Sequence, residues 1–238
     1  IIMVTLQDVR NNPNFKLMID RACDYLLARG YTEHGIRHVS YVSKTTARIL
    51  SELGYDARTV ELGAIAGYLH DIGNMHNRKH HGITGANLVY IELQNMGMKL
   101  AEICEITTAI ANHEEEIGTA VSPITAALII ADKSDAHRTR VGRIIPETEQ
   151  VSDKHNRVNL AILDSNISID TVKHSITLEI SFDQTSCQIM DYFEIYLDRM
   201  IMCKQAATLL GCRFRLVIND LELLGHVQTT EHSKKARA

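Results

Sequence analysis

The stretch Ala64-Ile-Ala-Gly-Tyr-Leu-His70-Asp71-Ile-Gly73 constrains this chain more than any other. An apolar run of helical character ends in two adjacent metal-capable side chains, and a glycine then stops it. Placing a histidine and an aspartate at the end of a buried helix is costly unless each finds a partner. A divalent cation would satisfy both, provided that the rest of the chain brings further ligands to it.

The bulk composition is that of a globular protein with a real core. Of 238 residues, 45% are hydrophobic and 23% charged, close to the globular average. The net charge of −4 gives no basic field for nucleic acid, and aromatic residues are not interleaved with basic ones as a long nucleic-acid track requires. A nuclease and a nucleic-acid partner are therefore not expected. No run reaches the length of a membrane span, and Asp8 and Arg10 follow the apolar Ile1-Ile2-Met3 too soon for a signal-peptide core. The five cysteines are dispersed, with no Cys-x-x-Cys pair, which suits a reducing compartment and gives a cytoplasmic expectation.

Taken in order, the first part of the chain reads as helices. A short turn near Leu6 is interrupted at Asn11-Asn12-Pro13, and Pro13 opens a helix to about Arg29, closed by Gly30. After the connector Tyr31–Gly35, a helix from Ile36 to Leu53 carries the apolar stripe Val39, Val42, Ile49, Leu50, Leu53, with His38 at its edge. Thr59 to Leu69 is small or apolar on every side and is expected to be buried all round. A polar loop, Gly73 to Thr84, precedes a helix to Asn95, and another covers about Lys99 to Asn112. Ile103, Ile106 and Ile110 form the stripe of that helix and aim His113 inward, while Glu114, Glu115 and Glu116 are expected in solvent. Pro123 opens an apolar helix to roughly Arg140, on which Leu128, Asp132 and Asp135 share a face.

After Pro146 the period changes. Val158–Ile169 and Ser175–Phe182 alternate as strands with a turn at Asp170–His174. A helix from Cys187 to Leu210 has Met190, Phe193, Leu197, Ile201 and Ala206 as buried candidates, and Cys212–Ile218 reads as the last strand. The expected architecture is mainly α: an all-helical domain over residues 1–148, a small α+β (β-β-α-β) domain over 149–228, and a polar, disordered tail over 229–238. Ser175–Phe182 is a candidate for pairing across a homodimer.

Several polar residues that belong to apolar faces line up along the helical part: His38, His70, Asp71, one histidine of Lys79-His80-His81, His113 and Asp132. Taken singly, each histidine is more often a satisfied core side chain than a ligand. Taken together, buried polar groups on separate helices each need a partner, and one shared metal centre would supply it. Imidazole nitrogen and carboxylate oxygen suit zinc, iron or manganese. Asp71 has two oxygens with which to bridge two cations, and two metals about 3.5–4 Å apart would clamp a phosphoryl oxygen.

The order His38, then His70-Asp71-Ile-Gly, then Asp132 in Ala-Asp-Lys resembles the pattern of the HD-domain metal-dependent phosphohydrolases, over about Tyr31 to Arg143. The resemblance implies an all-helical fold in which His38, His70, Asp71 and Asp132 bind a catalytic divalent metal, one or two ions of Fe, Mn or Zn, with Mg or Ni as further candidates. His81-Gly-Ile-Thr-Gly-Ala resembles the position at which binuclear members hold a second metal, with His80 as its rival. Asn112-His113-Glu114 resembles their paired-histidine motif, with asparagine in place of the first histidine. The glycine-tyrosine-proline motif of the cyclic-di-GMP branch is replaced by Glu116-Ile-Gly-Thr-Ala.

The implied activity is hydrolysis of a phosphate ester of a nucleotide or small phosphorylated metabolite by a metal-activated water. Asp71, Asp135 and Lys133 are the catalytic candidates, with Glu114 as a further acid-base or orienting candidate. Arg37, Arg78, Lys79, Arg138 and Arg140 are the candidates for binding the anionic substrate, because a guanidinium fork gives a phosphate two parallel donors. His137 and Arg143 extend that basic run, while His34 and His76 are expected at the surface. The alternative is a catalytically silent module that binds metal and nucleotide as a sensor.

Overall fold

The structure is a computed structural model that describes residues 3–136 and 154–224. Its first part is helical: α1 (Leu6–Asn11), α2 (Pro13–Ala28), α3 (Ile36–Glu52), α4 (Ala57–Leu69), a 3₁₀ turn (Ile72–Met75), α5 (His81–Asn95), α6 (Leu100–Ala111) and α7 (Pro123–Ser134). Local chemistry sets most of these bounds. Asn12 accepts from the amides of Asn14 and Phe15 to cap α2, and Pro13 occupies its first turn. Asp56 caps α4 by accepting from Arg58 and Thr59, so that helix starts two residues before the expected Thr59.

Helix α4 is the centre of the helical part. It is buried from Leu62 to Leu69 and packs against α1, α3, α6 and α7. The α3–α4 approach is close because of Gly67, where a Cβ would lie 2.8 Å from the Cα of Ser43. The Ser43 hydroxyl donates to the carbonyl of Ala64 at 2.7 Å and fixes the same crossing. Gly73 does the equivalent for α5: a Cβ there would overlap the His81 carbonyl and lie 2.6 Å from the amide of Gly85. The glycine after His70-Asp71 is thus needed because the start of α5 rests on it.

Two helix ends differ from expectation. Helix α5 starts at His81 rather than Thr84. Its first turn is capped from a distance by Glu114, whose carboxylate accepts from the amides of His80 and Gly82, a signal with no local counterpart. Helix α7 stops at Ser134 instead of continuing towards Arg140, and Asp135 leaves the helical conformation at ψ 67°.

The C-terminal part consists of α8 (Lys154–Ala161), β1 (Ile162–Asp170), β2 (Ser175–Phe182), α9 (Ile189–Leu209), β3 (Arg213–Ile218) and β4 (Leu221–Leu224). The sheet order is β1-β2-β3-β4. β1 and β2 form an antiparallel hairpin, β2 and β3 are parallel through α9, and β3 and β4 are antiparallel. The fold is mainly α with an α+β C-terminal part.

Four expectations about this part are corrected. Val158–Ala161 is helical, because packing of α8 against α9 and β1 overrides the short alternation. A fourth strand exists after a turn in which Asn219 and Asp220 both have positive φ, 48° and 67°, the geometry of a tight hairpin. β2 lies between β1 and β3, so it cannot pair with a second chain. On α9, Met190, Leu197 and Ile201 are exposed, whereas Tyr192, Tyr196, Met200, Cys203 and Ala206 make the buried face, which packs on α7 and the sheet. Among the described residues no helix is long and apolar enough to cross a membrane.

Gly73→Ala is expected to lower the unfolding free energy by about 1–3 kcal/mol, the range for overpacking a filled interior. Urea titration followed by circular dichroism measures it, and an unchanged midpoint would contradict the packing role given to Gly73.

Candidate metal centre

The helical packing brings six side chains from α3, α4 and its end, α5, the end of α6 and α7 to one point. His38, His70, Asp71, His81 and His113 are almost wholly buried. Around Asp71 Oδ2 stand His38 Nε2 at 3.5 Å and His70 Nε2 at 3.4 Å. Asp132 Oδ1 completes this group, 3.4 Å from His38 Nε2 and 3.5 Å from His70 Nε2. Around Asp71 Oδ1 stand His81 Nε2 at 3.4 Å and His113 Nε2 at 3.9 Å. The two oxygens of one carboxylate therefore face two separate pairs of imidazoles.

The orientation of every ring is fixed from behind. His38 Nδ1 lies 2.6 Å from Asp135 Oδ2. His70 Nδ1 reaches the Gly67 carbonyl at 2.9 Å, His81 Nδ1 the Arg78 carbonyl at 2.8 Å, and His113 Nδ1 the Ile110 carbonyl at 2.6 Å. A carbonyl or carboxylate oxygen only accepts, so each Nδ1 carries the proton and each Nε2 turns a lone pair to the centre. The Nε2 atoms of His81 and His113 are 3.1 Å apart, and those of His38 and His70 are 3.3 Å apart. Lone pairs at those separations, beside two carboxylates, repel one another unless positive charge sits among them.

Electrostatics agrees with that requirement. Burial opposes charge on His70, but Asp71 and Asp132 outweigh it and lift its pKa to about 10, so that without a cation a second proton on this ring supplies the positive charge. Burial also opposes charge on Asp71, yet the surrounding histidines hold its carboxyl well below the usual range. His113 is pushed down to about 3 by burial and by His81 and His70. Asp71 Oδ2 is buried and has no hydrogen-bond donor among the described residues, although buried carboxylates ordinarily find one. Three overlapping groups have donor atoms close enough for one ion each: His38, His70 and Asp71; His70, His113 and Asp132; Asp71, His81 and His113. Imidazole and carboxylate donors in a closed pocket fit a divalent transition cation.

The remaining residues support this core. Lys133 Nζ donates to Asp132 Oδ2 at 2.6 Å and lies 3.1 Å from Glu115 Oε1, which leaves Asp132 Oδ1 to face the centre. Asp135 binds His38 and, through both oxygens, Arg37. Lys133 and Asp135, expected among the catalytic groups, thus stand behind ligand-type residues. Arg37, expected at the substrate, is paired with Asp135 and Glu33. Arg78 does approach the centre, with Nη1 3.4 Å from His81 Nε2, whereas Lys79 is exposed on the loop. His80 is exposed at φ 60°, and His81 is the buried member of the pair. Arg138 and Arg140, with His137 and Arg143, lie outside the described residues.

Four residues reach this site against the sequence reading of their positions. Glu114 and Glu115, placed in solvent by the sequence, are buried and half-buried; only Glu116 is exposed. Their reversal follows from the turn after His113, which folds them back on α5 and on Lys133. His34, expected at the surface, has Nε2 3.9 Å from Asp71 Oδ2 with its side chain 11% exposed. Asn74 donates to Asp71 Oδ1 at 2.9 Å from a fully buried position. An asparagine three residues after the His-Asp pair was the available signal for it.

These features define a helical domain with a buried histidine–aspartate centre suited to divalent metal. Residues 35–140 match the family model of the HD domain, so this part of the chain carries an HD domain. Among solved structures the chain is similar to a predicted HD superfamily hydrolase from an uncultured Thermotogales bacterium, with 25% identity and a TM-score of 0.41, covering 52% of this chain and 67% of that chain. No curated protein matches the chain.

Asp135→Asn is expected to weaken divalent-metal affinity about 10–100-fold, the usual cost of losing an oxygen that orients a ligand histidine. Competition with a chromophoric chelator measures it. Unaltered affinity would show that the Asp135–His38 contact does not set the ring.

Proposed function

We propose that the chain is a metal-dependent phosphohydrolase acting on a small phosphorylated substrate, with a centre for two cations bridged by Asp71. The observation that supports this most is the split of the Asp71 carboxylate, Oδ2 towards His38 and His70 and Oδ1 towards His81 and His113. His38, His70 and Asp132 would hold one cation and His81 and His113 the other, with Asp71 shared. Bound there, divalent cations supply Lewis acidity and an acidified water.

The chain's own residues have separate tasks in this reading. Asp71 is the catalytic candidate retained at the reacting centre. Lys133 and Asp135 act as positioning residues, the first by turning Asp132 Oδ1 inward and the second by holding the His38 ring. Arg78 offers a guanidinium beside His81 and is placed to bind a phosphoryl oxygen. His34 closes the mouth of the centre and limits water there. Arg37 holds Asp135, so its guanidinium is engaged with a carboxylate rather than with substrate.

The test uses manganese- or iron-loaded protein against aryl phosphate, aryl phosphodiester and nucleotide substrates. At least one is expected to be hydrolysed, and Asp71→Asn is expected to lower kcat/KM by about a thousandfold, ~4 kcal/mol of barrier. Failure to cleave any of them, with metal bound, would contradict hydrolysis and leave a metal-binding sensor module. His113→Ala is expected to reduce metal content from two equivalents per chain to one, measured by plasma emission. An unchanged content would remove His113 from the second position.

A further inference from the structure

A cavity of about 360 Å³ adjoins the metal centre. Its wall has two origins. Arg29, His34 and Arg78 come from the segment before α3 and the loop after Asp71, whereas Asn159, Tyr196 and Arg199 come from α8 and α9. Three guanidinium groups face this space, and no carboxylate lines it among the described residues. Two of its lining residues reach the centre. His34 Nε2 is 3.9 Å from Asp71 Oδ2, and Arg78 Nη1 is 3.4 Å from His81 Nε2.

Arg199 is held in place by the fold. Its Nε lies 2.7 Å from Glu115 Oε1, and its guanidinium sits 4.9 Å from the ring centre of Tyr196. The Tyr196 hydroxyl donates to Asn159 Oδ1 at 2.5 Å, which fixes that ring. Because Glu115 also pairs with Lys133, an ionic chain runs from Asp132 through Lys133 and Glu115 to the cavity wall. The C-terminal unit, which carries no sequence motif, thereby places a guanidinium in register with the metal centre.

We infer that this cavity is an anion subsite for a second charged group of the substrate. Three planar forks with no carboxylate in the wall recognise phosphate or carboxylate oxygens, and the volume lies in the range of small-molecule sites rather than that of one phosphate. The substrate class is then a phosphoester carrying at least two anionic groups, such as a nucleoside diphosphate, with its scissile phosphoryl at the Asp71 centre. The term "substrate" rests on the phosphohydrolase reading; the anion site does not.

Isothermal titration of the full chain with inorganic pyrophosphate and with inorganic phosphate tests it, before and after metal removal with EDTA. Pyrophosphate is expected to bind at least about tenfold more tightly than phosphate to the purified protein. Arg29→Gln, Arg78→Gln and Arg199→Gln are each expected to weaken pyrophosphate by about tenfold, the loss of one charge-assisted pairing, and Lys16→Gln to leave it unchanged. That dependence is expected to persist in EDTA. Arg29 is exposed, so Arg29→Gln decides the outcome if Arg199→Gln fails to fold. Equal affinity for the two anions, indifference to Arg29→Gln, or loss of all binding with the metal would overturn the subsite. Arginine-dependent binding without any hydrolysis would keep the subsite and overturn the hydrolase reading alone.

Discussion

Each inward histidine of the centre is locked by a hydrogen bond from its Nδ1 to a fixed oxygen, and the rest of the structure depends on those locks. Three of the acceptors are backbone carbonyls, three residues earlier in the chain than the histidine itself. The helix and turn ends at His70, His81 and His113 therefore aim their own rings. The fourth acceptor, Asp135, follows the end of another helix and is itself held by Arg37. Rings set this way, when neutral, turn their Nε2 lone pairs inward. Asp71 among them faces four Nε2 atoms, and a buried cluster of acceptors is stable only around positive charge, a metal ion or a proton.

The helical packing serves that geometry. Gly67 lets α3 and α4 approach until His38 and His70 share a contact, and Gly73 lets α5 start against the His-Asp turn so that His81 reaches Asp71 Oδ1. Glu114 caps α5 from the end of α6 and thereby ties the position of His81 to that of His113. The Asp132–Lys133–Glu115–Arg199 chain extends the same order into the C-terminal part. Substituting any of these supports is expected to act on the centre through the ligand it aims.

The helical fold and the six inward residues were largely legible in the sequence, because apolar stripes at helical spacing carried His38, His113 and Asp132 to the core side. What the sequence lacked was long-range. Glu114 and Glu115 read as a solvent-facing acidic run, since nothing local tells that the turn folds back. Met190, Leu197 and Ile201 read as core by residue type, whereas the buried face of α9 is the one that begins at Tyr192. Val158–Ala161 alternated like a strand and became helix against α9. Arg199 carried no motif at all, and only the fold brings it to Arg78.

The central claim is that Asp71 is shared between two cations. Anomalous diffraction at the manganese edge from crystals grown with Mn²⁺ tests it most directly. Two peaks are expected, one beside Asp71 Oδ2 among His38, His70 and Asp132, and one beside Asp71 Oδ1 between His81 and His113. A single peak, or none within this cluster, would contradict it.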